Sequence, residues 1–255
     1  MKTVYGPVPS WRFGRSLGLD PICSKKKTCS FDCIYCQLGK TGNKTIKRKE
    51  YVSPSLMKKQ LENTKIHGVD VITFSGTGEP TLNSNLGDMI SFAKEYGLPV
   101  AVLTNSSLLS DASIRSELSK ADIVAAKLDA ADEKTFQEIN KPVKGLHFKK
   151  IIEGLREFRK EFKGKFCLQI MFINQNMNFA KEMAELAREL KPDEVQLDTP
   201  LRPSPVPPLD AVDMDRIEKE FTGIKIISVY KSKKPRAEPY DMSETLKRRP
   251  SCSDE

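Results

Sequence analysis

Three thiols stand close together at Cys29, Cys33 and Cys36, separated by three and then two residues, so that all of them fit on one compact loop. Thiolates are the ligands of iron–sulfur clusters and also of zinc. Four cysteines saturate a 4Fe–4S cube, so three leave one iron open to a ligand from outside the protein. A three-cysteine zinc site is the competing reading, and neither histidine assists it, since His67 and His147 lie far along the chain. The other cysteines, Cys23, Cys167 and Cys252, are more than 80 residues apart from one another. That scatter does not form a second cluster, and Cys167 sits in an apolar stretch, where a buried cysteine acts as a small hydrophobe.

Further along, FSGTGEPTL (74–82) places Gly76, Gly78 and Glu79 directly after an apolar run, and LTN (103–105) places Asn105 after another. KLD (127–129) closes a third, with Lys127 and Asp129 on one face by strand alternation. Each has a plainer reading beside the functional one: a glycine turn for GTGEP, a structural ion pair for Lys127 with Asp129, and a turn residue for Asn105. Asn140, in INKP, is a weaker candidate of the same kind.

These residues must be held by elements, and the chain supplies a regular series. RSLGLDPI (15–22), VDVITFSG (69–76), LPVAVLTN (98–105), ADIVAAKLD (121–129), KFCLQIMFI (165–173) and DEVQLDT (193–199) read as strands. Between them, residues 54–65, 86–97, 111–120, 148–162 and 179–190 carry apolar residues at helical spacing. Gly97, Gly164 and Pro192 mark helix stops. Six strands alternating with helices predict an α/β fold with a curved parallel sheet, a partial (β/α)6 barrel spanning residues 1–200 with the cysteine loop at 23–40. In such folds chemistry gathers at the carboxyl ends of the strands, where the candidate residues fall. A proline-rich linker (201–210), a helix and strand (211–230) and a basic, flexible tail (231–255) with a possible helix N-cap at Ser253 are expected to follow.

The 255 residues carry 42 basic and 34 acidic side chains, a net +8. The excess clusters at Lys25, Lys26 and Lys27, at Lys44, Lys47, Arg48 and Lys49, and in the tail from Lys231 to Arg249. Such runs attract RNA, acidic substrates or an acidic protein partner, or they form only a solvated surface. No apolar run is long enough to cross a bilayer, and the first residues show no signal-peptide pattern, so a cytoplasmic protein is expected.

With Tyr35 just before the last cysteine, the loop resembles the CxxxCxΦC signature (Φ aromatic) of the radical S-adenosylmethionine (SAM) superfamily. GTGEP resembles that superfamily's glycine–glutamate motif, and LTN and KLD follow in the matching order over residues 15–200. The resemblance implies one oxygen-sensitive 4Fe–4S cluster on Cys29, Cys33 and Cys36, with SAM chelating the open iron. An electron then breaks a C–S bond and yields a 5′-deoxyadenosyl radical, which takes hydrogen from a substrate. Tyr35 is expected beside the adenine, Gly76, Gly78 and Glu79 at the methionyl ammonium, and Lys127, Asp129 and Asn105 at the remaining polar groups of SAM. The lead-in GPVPSWRFGRSLGLDP is similar to a prokaryotic group related to the wyosine-base synthases, which modify tRNA. Those carry a second cluster on further upstream cysteines, whereas only Cys23 precedes the loop here. The implied partners are an electron donor such as ferredoxin or flavodoxin and a tRNA or other acidic substrate. A radical activase or modifier of a protein or peptide is the alternative. A non-catalytic iron–sulfur or zinc module that binds nucleic acid is the alternative of a different class.

Overall fold

The computed structural model describes residues 1–251, and both Cys252 and the helix cap expected at Ser253 lie outside the described residues. The chain opens with an antiparallel hairpin of β1 (Val4–Ser10) and β2 (Gly14–Leu19), followed by two short strands, β3 (Thr28–Cys29) and β4 (Asn43–Lys44), that pair with each other. Next come α1 (Pro54–Glu62), β5 (Val71–Phe74), α2 (Leu86–Lys94), β6 (Val100–Thr104), α3 (Ala112–Leu118) and β7 (Ile123–Lys127). Helices α4 (Glu133–Asn140) and α5 (Phe148–Glu161) lead to β8 (Lys165–Met171), α6 (Ala180–Leu190) and β9 (Glu194–Asp198). The chain continues through α7 (Ala211–Glu220) and β10 (Ile226–Ser228) to α8 (Met242–Leu246).

One sheet holds eight of these strands in the order β1-β2-β5-β6-β7-β8-β9-β10, so it runs through the molecule almost as the chain does. From β2 onward every pairing is parallel, and the sheet curls into a half-barrel. The six strands read from sequence form its continuous middle. The lead-in strand β1 escaped that reading because Pro7 and Pro9 break its pattern, which an edge strand tolerates. β10 joins the same sheet as a further parallel strand beside β9.

The helices form where their sequences instruct them. Ser53 accepts a hydrogen bond from the Leu56 amide and Pro54 opens α1, while Asp132 and Asp210 cap α4 and α7 in the same manner. Helix α6 buries Ala180, Met183, Ala184, Ala187 and Leu190, a three-and-four spacing that lays one stripe on the sheet, and it stops at Lys191 in a left-handed turn before Pro192. On β8, Phe166, Leu168 and Ile170 face these helices, and on β9 Val195 and Leu197 do so. The alternate residues, Cys167, Gln169, Glu194, Gln196 and Asp198, must therefore line the concave side. The outer layer is an apolar core and the inner layer is polar.

Residues 231–251, read from the sequence as a basic tail, return to the start of the chain. Helix α8 is capped by Asp241 and sets Arg248 in a fully buried position. There its guanidinium donates to Asp20 Oδ2 at 3.0 Å and to Glu244 Oε2 at 2.6 Å. Among the described residues no helix is long and apolar enough to cross a membrane.

Candidate active site

The cysteine loop is fixed by the strand-end residues around it. Its first strand lies against GTGEP: Thr28 donates its amide to Thr77 O at 3.1 Å, and Glu79 donates its amide to Thr28 O at 3.1 Å. Gly78 is glycine because of this contact, for a Cβ there would lie 1.7 Å from Thr28 O. A Cβ on Gly76 would strike Asp20 at 2.2 Å. Both glycines thus serve a close approach of protein to protein, at the place where the sequence suggested an approach to a cofactor.

Asp20, which sequence reasoning passed over, joins three segments. Its Oδ1 accepts the amide of Cys23 at 2.8 Å, and its Oδ2 accepts from the Thr77 amide at 3.1 Å and from Arg248. The available signal was its place at the end of a strand, one residue before proline. Glu79 is also buried, and its carboxylate is spent inside the protein. Oε1 accepts from the Thr81 amide, Thr81 Oγ1 and Thr104 Oγ1, and Oε2 accepts from the Asn105 amide at 2.7 Å. Burial raises its pKa, and those donors work against the rise. Glu79 thus accepts four hydrogen bonds from the turn that follows it and from the end of β6.

Asn105 and Asn140 attend the sulfurs. Asn105 Nδ2 lies 3.3 Å from Cys29 Sγ and 2.8 Å from Ser30 Oγ. Asn140 Nδ2 lies 3.4 Å from Cys33 Sγ and 3.1 Å from Asp129 Oδ2. Burial pushes the Cys29 thiol up to about 12 and raises Cys33, so each sulfur needs donors or a metal to stay ionised. Amides aimed at sulfur supply the former and suit a thiolate ligand.

Tyr35, Lys127 and Asp129 meet at the end of β7. The Tyr35 hydroxyl donates to Asp129 Oδ2, and Lys127 Nζ reaches Tyr35 Oη at 2.7 Å and lies 3.6 Å from Asp129. Asp129 also accepts the Met171 amide at 2.9 Å, tying β7 to β8. Burial raises the Tyr35 pKa strongly and Asp129 adds to the rise, so the phenol stays protonated as a donor. The loop, GTGEP, Asn105 and the Lys127–Asp129 pair, far apart in sequence, thus share one end of the half-barrel.

Residues 25–188 match the family model described as the radical SAM superfamily. The chain belongs to that superfamily of enzymes. A UPF0026 protein of Synechocystis is 42% identical over 205 residues, covering 80% of this chain and 77% of the relative. Among solved structures, SuiB of Streptococcus suis bound to S-adenosylmethionine superposes with a TM-score of 0.65 at 17% identity, over 85% of this chain and 50% of that one. TYW1 with a lysine–pyruvate adduct gives 0.62 at 17% identity, over 83% and 74% of the two chains. These likenesses are ones of fold. The family implies SAM and a 4Fe–4S cluster, and the donor set here fits that pair: three loop thiols, two of them served by amide donors, beside a polar strand-end rim.

Not all of the basic runs are free. Lys27 is buried and donates to Gly39 O, and Arg48 binds Glu117 and Thr81 O. Lys25, Lys26, Lys44, Lys47 and Lys49 remain exposed around the loop. In the tail, Lys231 pairs with Asp215 and Glu218, Lys247 with Glu244, and Arg248 is buried. The density of charge was legible in sequence; its internal neutralisation was not.

Proposed function

We propose that this chain is a one-cluster radical SAM enzyme that takes a hydrogen atom from an acidic substrate, RNA being one such substrate. The observation that carries the reading is the pair of buried asparagine amides set on Cys29 and Cys33 beside the Lys127–Asp129 strand end. Cys29, Cys33 and Cys36 would hold the 4Fe–4S cluster and leave one iron open for SAM. When bound, the cluster would supply the electron for reductive cleavage of SAM. The main chain at Gly76 and Gly78 receives the methionyl ammonium, and Glu79 keeps that turn in shape from within. Lys127, the partly exposed member of the rim, turns from Tyr35 to the methionyl carboxylate, while Asp129 stays anchored to Met171 and Asn140. Tyr35 closes the loop side of the adenine.

The exposed lysines around the loop support an acidic electron carrier, a ferredoxin or flavodoxin, as the docking partner. Mössbauer spectra of the anaerobically reconstituted protein test the ligand set. Adding SAM should alter a single iron site and leave the thiolate-bound irons unchanged. A spectrum indifferent to SAM, or zinc in place of iron in the purified protein, contradicts the reading.

A further inference from the structure

The polar concave face of the half-barrel contains a group of guanidinium side chains to which neither the cluster nor SAM gives a role. Arg12 belongs to the turn between β1 and β2, Arg202 to the segment after β9, and Arg249 to the segment after α8. Arg12 pairs with one carboxylate, that of Asp198, and Arg202 and Arg249 lie close enough to interact with both by charge. Arg12 Nη1 lies 3.8 Å from Asp198 Oδ2, with side chains 16% and 12% exposed. The Lys127 charge also acts on Asp198, which links this group to the strand-end rim. On its other side Arg202 reaches Gln37 Oε1, immediately after Cys36, at 3.4 Å. The group therefore lies directly against the cysteine loop.

It is electrostatically unfinished. Burial lowers the pKa of all three arginines; proximity to Arg12 lowers Arg202 further, and Arg202 and Arg12 help bring Arg249 down to about 9. Counted by formal charge, three guanidinium groups against the Asp198 carboxylate leave two positive charges. Nε and Nη1 of Arg12 are buried and have no hydrogen-bond partner among the described residues. Buried charge without a partner is costly, and like charges brought together add to the cost. Folded proteins retain such an arrangement where a ligand completes it, and guanidinium forks match the oxygens of phosphate and carboxylate.

We propose that Arg12, Arg202 and Arg249 form a subsite for a doubly charged oxyanion of the substrate, a terminal phosphate monoester, held inside the half-barrel beside the cluster loop. A phosphate monoester carries close to two negative charges near neutral pH, matching the excess; a chain phosphodiester carries one. The inference deepens the proposed function and rests on it for the word substrate. Its test involves no SAM cleavage, so each can fail without the other.

The reconstituted holoenzyme, kept anaerobic and free of SAM, is titrated with inorganic phosphate and separately with malonate in a calorimeter. Saturable phosphate binding is expected, tighter than malonate, and weakened about tenfold or more by Arg12→Gln or Arg202→Gln. Because a variant can lose its fold, the wild-type protein is also treated with phenylglyoxal and mapped by mass spectrometry. Phosphate should protect Arg12, Arg202 and Arg249 and leave Arg216, exposed on α7, reactive. Absence of saturable binding, or equal protection of Arg216, overturns the subsite. Tighter malonate binding overturns the phosphate assignment.

Discussion

Asn105 and Asn140 direct amide nitrogens at two different cysteine sulfurs of the loop, and their effect is local and measurable. Groups one step removed from a metal set ligand orientation and basicity, and losing one typically costs about 10–100-fold in metal affinity. Asn105→Ala should therefore lose iron to a chelator about 10–100-fold more readily than the wild type, with little change in secondary structure. Equal iron retention in the two proteins would contradict the role given to Asn105. The cysteine spacing, GTGEP and the KLD pair were legible in sequence because they are short and sit at strand ends. Asp20, Arg12 and Asp198 were not, since isolated charged residues announce nothing until the sheet curls and brings Arg12 to 3.8 Å from Asp198. Glu79 shows the complementary limit: its motif was visible, but that four donors consume its carboxylate depends on β6 and on the turn at Pro80–Leu82.

At the level of elements, α8 closes the barrel's starting edge through Arg248, just past its end, which joins Asp20 on the site side to Glu244 on the helix. Arg248→Met takes the guanidinium from the buried Asp20 carboxylate, while Glu244 keeps Lys247 and the Lys2 amide, and a loss of about 3–5 kcal/mol in unfolding free energy is expected. Denaturant titration checks it, and a loss below about 1 kcal/mol would show that α8 contributes little to the fold. The same helix gives the protein an acid dependence. Hydrogen bonds from Lys247, Arg248 and the Lys2 amide hold the Glu244 pKa down to about 2 against the opposing effect of burial, compared with 4.5 ordinarily. A carboxylate depressed in the folded state contributes stability that is complete above its unfolded pKa and is lost as pH falls through the folded one. Melting temperatures should thus fall between about pH 5 and pH 2, and Glu244→Gln should flatten that part of the curve. A wild-type curve that the variant reproduces throughout would contradict this assignment. The helix–strand alternation was readable from periodicity, whereas β1, with two prolines, and α8, with one turn of polar sequence, lacked any pattern to read.

For the whole molecule, the half-barrel places an apolar layer outside and a polar layer inside, with the cysteine loop against one end of the latter. That arrangement brings the three cysteines, the Lys127–Asp129 strand end and the Arg12–Asp198 pair to one region of the molecule, where the cluster, SAM and the substrate's oxyanion are proposed to bind. The central claim is the radical chemistry, and one measurement bears on it most directly. The anaerobically reconstituted protein is reduced with dithionite in the presence of SAM, and 5′-deoxyadenosine is quantified beside a Cys33→Ala control. The account predicts release of 5′-deoxyadenosine and methionine in equal amounts from the wild-type protein, well above the control. Release no greater than that of Cys33→Ala, from protein carrying a full complement of iron, would contradict it.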